Sequence, residues 1–213
     1  MRNESSLKEA IYNAILADIF SMDYRPGDIL NEKKLVEKYN CSKSPVREAL
    51  ITLCNENVLR SIPRYGYEIV RLTKEDIAEM IQFRSILEGG ILSEYYMQLS
   101  ASQLDRLAEI DAKCQMETID AWKHWEYNTE FHLKLIGFCG SNYALEELTR
   151  CMNRLKRAYA QFYWDKWEHD GVPRDTRHHA QILECLRKKD LSGTLHYLKE
   201  DLSDFGGLTI SLM

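Results

Sequence analysis

The chain has 213 residues, of which 45% are apolar and 29% are charged, and its mean hydropathy is −0.43. This composition is typical of a globular protein with one large domain or two small ones. No apolar run approaches the roughly 20 residues of a membrane-spanning helix, and the first residues lack the apolar core of a signal peptide. We therefore expect a cytoplasmic protein with no membrane partner.

The net charge of −5 at first disfavours a protein that binds nucleic acid, but the charge is unevenly distributed. Residues 1–73 contain 11 lysines and arginines against 10 acidic residues, which leaves 17 against 23 in residues 74–213. Prolines and glycines also cluster in the first part. We therefore predict two domains, residues 1–73 and residues 74–213. The six cysteines form no CxxC pair, and we expect them to be thiols, as is usual in the cytoplasm.

The first part of the chain predicts a winged helix-turn-helix. Apolar residues recur at helical spacing before a turn at Pro26 and Gly27. Ser42 is a suitable N-cap for a later helix, and Pro45 is tolerated in its first turn. Two strand-like runs then flank residues 63–66 and predict a hairpin. The predicted helices cover residues 7–20, 32–39 and 42–55, and the predicted strands cover residues 58–62 and 67–71.

The second part of the chain predicts helices throughout, with no strand signal. The predicted helices cover residues 74–99, 101–118, 120–139, 142–168, 174–188 and 191–204. Together the two parts predict a mainly α fold, in which an N-terminal winged helix-turn-helix precedes an antiparallel α-helical bundle.

Cations gather where the predicted winged helix-turn-helix would meet DNA. The second helix of this motif enters the major groove, and Lys43 and Arg47 lie four residues apart on one face of it. Lys33 and Lys34 lie on the preceding helix, while Arg64 lies at the hairpin tip. The alternative is a set of ordinary solvated cations on a small helical module.

Four strings in this part carry a family resemblance. They are Pro26-Gly27-Asp28-Ile29-Leu30, Leu35-Val36-Glu37-Lys38-Tyr39, Ser42-Lys43-Ser44-Pro45-Val46-Arg47-Glu48-Ala49-Leu50 and Tyr65-Gly66-Tyr67. With them the chain resembles the GntR family of bacterial transcription regulators, and the resemblance implies contact with double-stranded operator DNA. The expected DNA-binding residues are Lys33, Lys34, Lys43, Ser44, Arg47, Arg64, Tyr65 and Gly66. The family most often has arginine where this chain has Lys43, and lysine lacks the bidentate fork of arginine.

The second part carries a resemblance of its own. Its strings are Asp76-Ile77-Ala78-Glu79-Met80, Arg84-Ser85-Ile86-Leu87-Glu88 and Phe131-His132, with Gly140-Ser141-Asn142 following. They resemble the all-helical FCD-type effector domain of the FadR-type subgroup, whose metal-binding members hold a divalent ion with one aspartate and three histidines beside a pocket for small carboxylates. The matching positions here are Asn128, His132, His179 and Asp201, a set that can bind Zn²⁺ or a similar ion. Arg84 matches a family arginine that could bind the carboxylate of an effector.

Each of these assignments has an alternative. The polar residues of the bundle can be satisfied inside the protein without a metal, and Arg84 can form an ion pair with Glu88. His124 could join Asn128, but about 12 Å of helix rise separates His124 from His132, too far for one ion. A group of aromatic residues can either line a pocket or belong to the core or the dimer interface. These residues are Tyr159, Phe162, Tyr163, Trp164 and Trp167.

The sequence thus predicts a homodimeric transcription regulator, not an enzyme, whose affinity for operator DNA is controlled by a small carboxylate. One alternative is a metal-dependent enzyme that acts on small organic acids through the His/Asp site, although the sequence has no HExxH string. Another is a winged helix that binds protein instead of DNA.

Overall fold

The structure is a computed structural model that describes residues 4–116, 121–163, 176–205 and 208–209. The chain divides into two compact units. One contains Met1–Thr73 with Ala160–Phe162, and the other contains Lys74–Tyr159 with Tyr163–Met213. Within the described ranges, no helix combines the length and the apolar character that crossing a membrane requires.

The first unit combines three helices with a small antiparallel sheet. Its elements in chain order are α1 (Glu4–Phe20), β1 (Ile29–Leu30), α2 (Glu32–Tyr39), α3 (Lys43–Asn55), β2 (Leu59–Ile62) and β3 (Gly66–Ile69). Strand β3 lies between β1 and β2, with Glu68 opposite Ile29 and Ile69 opposite Leu59. This is the predicted winged helix-turn-helix with one additional strand, β1, which is too short to show an alternating pattern in the sequence.

Capping residues mark both ends of α2 and the start of α3. The side chain of Asn31 accepts a hydrogen bond from the backbone N–H of Lys33 and starts α2. Asn40 ends the helix in the left-handed conformation, with φ of 48°, which suits asparagine better than most residues. Ser42 occupies the N-cap position of α3 as predicted, but its hydroxyl makes no capping hydrogen bond.

One apolar core holds the first unit together. The inner stripe of α1 packs against α3, and the sheet closes the core from the other side. Its fully buried members include Ile15, Leu35, Val46, Ala49, Leu50, Leu53 and Ile69. Because α3 buries this whole stripe, its opposite face is left to solvent.

The second unit is a helical bundle that ends in a short hairpin. Its elements are α4 (Lys74–Tyr95), a 3₁₀ turn (Tyr96–Gln98), α5 (Ala101–Cys114), α6 (Ala121–Gly137), α7 (Asn142–Tyr163), α8 (His179–Arg187), α9 (Leu191–Ser203), β4 (Asp204–Phe205) and β5 (Leu208–Thr209). The predicted mainly α fold is confirmed. The expectation of no strand in this part is wrong, because β4 pairs with β5. Two residues per strand are again too few for a detectable period. The predicted helix ends at residues 118, 120, 168 and 174 lie outside the described residues.

Helix packing in this unit brings four helices around one interior. Helix α5 packs against α6 and α8, while α9 packs against α4 and α8. A capping box at Ser100 and Gln103 starts α5, and the Asp190 side chain caps α9 through the N–H of Gly193. The inner faces of α4, α6, α8 and α9 are largely apolar, yet each contributes a buried polar residue at this interior.

Candidate functional site

The exposed face of α3 carries three of the residues expected at DNA. Val46 and Leu50 are fully buried on the inner face, whereas Lys43, Ser44 and Arg47 are exposed on the outer face. A helix of 13 residues with one face buried and the other free has the geometry of a recognition helix in the major groove.

Arg47 is held by an acidic residue of α2. Its Nη2 lies 2.9 Å from Glu32 Oε1 and its Nε lies 3.2 Å from Glu32 Oε2, a two-point contact. The Arg47 side chain remains 60% exposed. The hydrogen bond from Arg47 to Glu32 is the main reason why the pKa of Arg47 is raised. Arg47 therefore presents an oriented, permanently charged guanidinium on the outer face.

The cations of α2 fall into two groups. Lys33 and Lys34 are exposed in the first turn. Lys38, one turn further, instead lies 2.5 Å from Asp18 and above the ring of Tyr24. Of these three lysines, Lys33 and Lys34 are therefore the ones available to a phosphate.

The predicted wing forms a tight hairpin between β2 and β3. The backbone N–H of Tyr65 donates to the carbonyl of Ile62 at 3.0 Å, and Arg64 has a φ of 71°. Proline at the second position and a positive φ at the third are typical of a type II turn. Arg64 and Tyr65 are exposed, and 71% of the Tyr65 surface is accessible. The hairpin thus presents a cation and an aromatic ring at its tip.

Gly66 is required by the contact between the wing and β1. Its φ is 137°, and a Cβ at this position would lie 2.4 Å from the carbonyl oxygen of Leu30. Any side chain would therefore push β3 away from β1. Gly66 serves the wing through its backbone.

A cluster of buried polar side chains lies inside the helical bundle. Its members are Arg84 and Glu88 on α4, Asn128 and His132 on α6, His179 on α8 and Asp201 on α9. Each is at most 7% exposed. The structure thus brings together His132, His179 and Asp201 of the expected metal site and places Asn128 one helical turn before His132. The expected effector residue, Arg84, is joined to them through Glu88.

His132 lies between two carboxylates. Its Nδ1 lies 2.7 Å from Glu88 Oε2, and its Nε2 lies 3.1 Å from Asp201 Oδ2. A neutral imidazole carries one proton and could donate to only one of them. The ring must therefore hold two protons, or a cation must take the place of the proton on Nε2.

The electrostatics of the cluster agree with this description. Burial lowers the pKa of His132, but the charge of Glu88 and hydrogen bonds with Asp201 and Glu88 outweigh burial, and the pKa lies above its ordinary 6.5. Burial raises the pKa of Glu88, but Arg84 and His132 outweigh it and hold the pKa at about 2. Burial likewise raises the pKa of Asp201, whereas His179 and His132 lower it further than burial raises it. Both carboxylates are therefore anionic at neutral pH.

Several buried atoms of the cluster have no hydrogen-bond partner among the described residues. They are Arg84 Nη2, Asn128 Oδ1, His179 Nδ1, His179 Nε2 and Asp201 Oδ1. The nearest carboxylate oxygens to the His179 ring lie 3.3 Å from Nδ1 and 3.7 Å from Nε2, without hydrogen-bond geometry. Donor atoms of His132, His179 and Asp201 lie within 4.8 Å of one another, so they fit a divalent ion. Asn128, one helical turn before His132, supplies a further unpartnered oxygen.

The structure also bears on the alternatives that the sequence left open for His124, Arg84 and the aromatic group. His124 faces the carbonyl of Cys114 at 3.2 Å from its Nδ1. Arg84 forms the ion pair with Glu88, with 2.8 Å between Nε and Oε1, and keeps a second nitrogen available. Tyr159 is core, because it is fully buried and packs against Trp125. Trp164 and Trp167 lie outside the described residues.

Sequence reasoning missed Glu88 as the partner of His132. The two residues are 44 positions apart, and only the packing of α4 against α6 brings them together. The signal available in the sequence was the pair of charges at Arg84 and Glu88 within an apolar helix. Such a pair, flanked by Ile81 and Leu92, indicates a buried ion pair.

Two family models match the chain. The model described as bacterial regulatory proteins, gntR family, matches residues 7–69, and the FCD domain matches residues 79–204. The first contains the helix and wing surface described above, and the second contains the buried polar cluster.

Known proteins resemble the chain over most of its length. The uncharacterized HTH-type transcriptional regulator YdhC of Bacillus subtilis (strain 168) is 35% identical over 84% of this chain and 80% of that protein. The gluconate operon transcriptional repressor of Bacillus licheniformis is 25% identical over 85% of this chain and 76% of that protein. The solved structure of E. coli McbR/YncC has a TM-score of 0.72 at 22% identity and covers 95% of this chain and 94% of its own, which shows a shared fold.

Proposed function

Because the chain belongs to the GntR family of bacterial regulatory proteins and carries an FCD domain, we propose that it binds an operator as a homodimer. A small carboxylate that binds the FCD domain weakens or strengthens the affinity for this operator. Family membership makes the chain a DNA-binding transcription regulator with an effector-binding domain. Its matched families and relatives are transcription regulators, which are not enzymes, so the alternative of a metal-dependent enzyme is not supported. Because its target is DNA, we place the protein in the cytoplasm.

One observation carries the assignment of the DNA surface. Lys43, Ser44 and Arg47 share the exposed face of α3, and the inner face of the same helix is buried in the core. Arg47 and Lys43 reach base edges or phosphates in the major groove, while Lys33 and Lys34 bind the adjacent backbone. Arg64, Tyr65 and Gly66 place the wing in the neighbouring groove.

A mobility-shift titration with DNA from around the gene's own promoter tests this surface. The double variant K33A/K34A should weaken binding to every duplex to a similar extent, because phosphate contacts carry no sequence information. The variant K38A is a matched control on the same helix, since Lys38 is already paired with Asp18. Equal loss in K38A and K33A/K34A would contradict the assignment.

The buried cluster supports a divalent metal site built from Asn128, His132, His179 and Asp201. Two imidazoles, one carboxylate and one amide oxygen form a donor set suited to Zn²⁺ and similar ions. The ion would supply a positive charge beside Arg84, where an effector carboxylate would bind. Glu88 would accept the Nδ1 proton of His132 and so orient the ring toward the ion.

Elemental analysis of the purified protein, together with mass spectrometry of retained small molecules, tests the metal and effector assignments. The wild type should carry about one divalent ion per chain, and H179A should lose it. H196A is the control, because His196 is exposed on α9. Metal content that is equal in H179A and H196A would overturn the site.

A carboxylate effector is supported by charge and by one relative. Arg84 Nη2 is buried and has no partner among the described residues, so it can donate a hydrogen bond to a carboxylate oxygen of the effector, in addition to the bond from Nε to Glu88. The relative from Bacillus licheniformis is named as the repressor of the gluconate operon, and gluconate is a carboxylate. We assign the effector to the class of small organic acids.

The homodimer is supported by an apolar face on α4. Ile86 is 69% exposed and Phe83 is 40% exposed on the same side of the helix. Gly90 follows one turn later and has open space where a Cβ would be. I86E should shift the protein from dimer to monomer in sedimentation velocity, and a dimer of unchanged stability would contradict this interface.

A further inference from the structure

A second group of metal-ligating side chains lies on the other side of the His179 ring. It consists of Asp111 and Cys114 on α5 and of Nδ1 of His179 on α8. None of these atoms except those of His179 belongs to the cluster described above. The described part of the chain has two potential ion-binding groups, and this one contains a thiol.

The geometry of this group is that of a small, nearly enclosed site. Asp111 and Cys114 lie three residues apart and so share one face of α5, toward α8. The three ligand atoms lie within 4.8 Å of one another, and Asp111 Oδ1 lies 3.3 Å from His179 Nδ1. Cys114 and His179 are buried, whereas the Asp111 side chain is 13% exposed and gives an ion access from solvent.

An unpartnered atom points to a ligand at this position. His179 is 0% exposed, and neither of its ring nitrogens makes a hydrogen bond with acceptable geometry in the described structure. Phe131 stacks on the ring with 3.8 Å between the ring centroids and fixes its plane. One edge of the ring is therefore held toward Asp201 and the opposite edge toward Asp111 and Cys114.

We propose that Asp111, Cys114 and His179 Nδ1 bind a thiophilic divalent cation such as Zn²⁺ or Cd²⁺. A thiolate, an imidazole and a carboxylate are three ligands of a tetrahedral site, with a fourth position left for water or a further donor. The thiolate selects against Mg²⁺ and Mn²⁺, which prefer oxygen. Binding at neutral pH releases the thiol proton of Cys114 to solvent, and the ion takes its place.

This site competes with the metal site proposed above because both use His179. A neutral imidazole keeps a proton on one nitrogen, so His179 can serve only one ion at a time. An ion on Nδ1 links α5 to α8, whereas an ion on Nε2 links α6, α8 and α9. The choice between the two sites therefore decides which helices are joined.

Absorption spectroscopy with Co²⁺ tests the sulfur site without any assumption about DNA or effector. Metal-free full-length protein is titrated with Co²⁺, and ligation by a thiolate gives a sulfur-to-cobalt charge-transfer band. The wild type should develop this band, and C114S should lose it. C139S is the matched control, because Cys139 is another buried thiol and lies outside the group.

Two further variants separate this proposal from the first metal site. D111N should keep Cys114 but weaken Co²⁺ affinity at least about tenfold. H132A removes a ligand of the first site only and should retain the charge-transfer band. This expectation holds whether or not the first site binds metal. Circular dichroism verifies that each variant is folded. If C114S does not fold, D111N supplies the test instead. Absence of the band in the wild type, its persistence in C114S, or unchanged affinity in D111N would overturn the proposal.

Discussion

Arg47 combines a role in packing with the role proposed for it at DNA. The two-point contact with Glu32 fixes the guanidinium on the exposed face of α3 before any DNA arrives. An oriented arginine loses less rotational freedom when it binds a base edge or a phosphate. Glu32 also places a negative charge on the proposed DNA surface, which would oppose unselective attraction to phosphates.

The variant E32Q should therefore separate affinity from selectivity. Without the carboxylate, binding to unrelated duplex should strengthen, because Arg47 is released and a repulsive charge is lost. The ratio of operator to unrelated affinity should fall by about tenfold or more, the size of one bidentate base contact. Fluorescence anisotropy with the two duplexes measures both quantities.

The control for this prediction is E37Q. Glu37 lies on the same helix and is exposed, so its loss changes the net charge equally without touching Arg47. If E37Q and E32Q change the selectivity ratio to the same extent, Glu32 does not position Arg47.

His132 makes a second prediction at the residue scale, which concerns pH. Its raised pKa means that the folded, metal-free protein keeps the ring protonated to a higher pH than a free histidine would. A metal on Nε2 must displace that proton, so Zn²⁺ affinity should rise with pH, by about tenfold per pH unit below the pKa of His132. Competition with a coloured chelator between about pH 6 and 8 measures this slope, in C114S so that the thiol proton of Cys114 does not contribute. Affinity that does not change with pH would show that His132 is not a ligand.

The wing is the element whose geometry depends most on one residue. Gly66 joins β3 to β1 at a place where a Cβ would meet the Leu30 carbonyl oxygen at 2.4 Å. The motif around Tyr65 and Gly66 was visible in the sequence. The contact with β1 that requires glycine was not, since β1 has only two residues. The conformation of the wing is thus set by a contact between segments more than 30 residues apart in the sequence.

G66A should destabilise the first unit by about 1–3 kcal/mol, because the substitution adds backbone strain and forces β1 and β3 apart. Operator affinity should fall as well. G27A is the control, since Gly27 also has a positive φ, of 94°, but its Cβ would meet only the flexible end of Arg71 at 3.9 Å. Thermal unfolding followed by circular dichroism compares the two variants. Equal destabilisation would mean that strain at φ alone, without the contact to Leu30, accounts for the effect.

Across the whole molecule, local pattern predicted the helices and the two long wing strands but not the two-residue strands β1, β4 and β5, and long-range packing formed the buried site. The three helices and the wing of the first unit follow from capping residues, apolar spacing and turn residues that lie within a few positions of each other. Asn128, His132, His179 and Asp201 were identified through the family resemblance, and the structure places donor atoms of the last three within 4.8 Å of one another. The contact of Glu88 with His132 and that of Asp111 with His179 were not identified, because the partners lie on other helices, 44 and 68 residues away.

The charge of the whole molecule also affects how it meets DNA. With a net charge of −5, the protein has no general attraction for phosphates, and the basic residues of the first unit must act locally. DNA affinity should therefore be steep in salt and depend on both copies of the recognition surface. The proposed function depends on this surface.

Anisotropy titration of a duplex from the gene's own promoter, repeated over a salt series with wild type and K43E/R47E, tests it most directly. We predict selective binding by the wild type that weakens steeply as salt rises. We predict no detectable selective binding by K43E/R47E, although sedimentation should show an unchanged dimer. A charge-reversed dimer that still binds the operator with wild-type affinity and salt dependence would contradict the assignment of α3 as the DNA-reading helix.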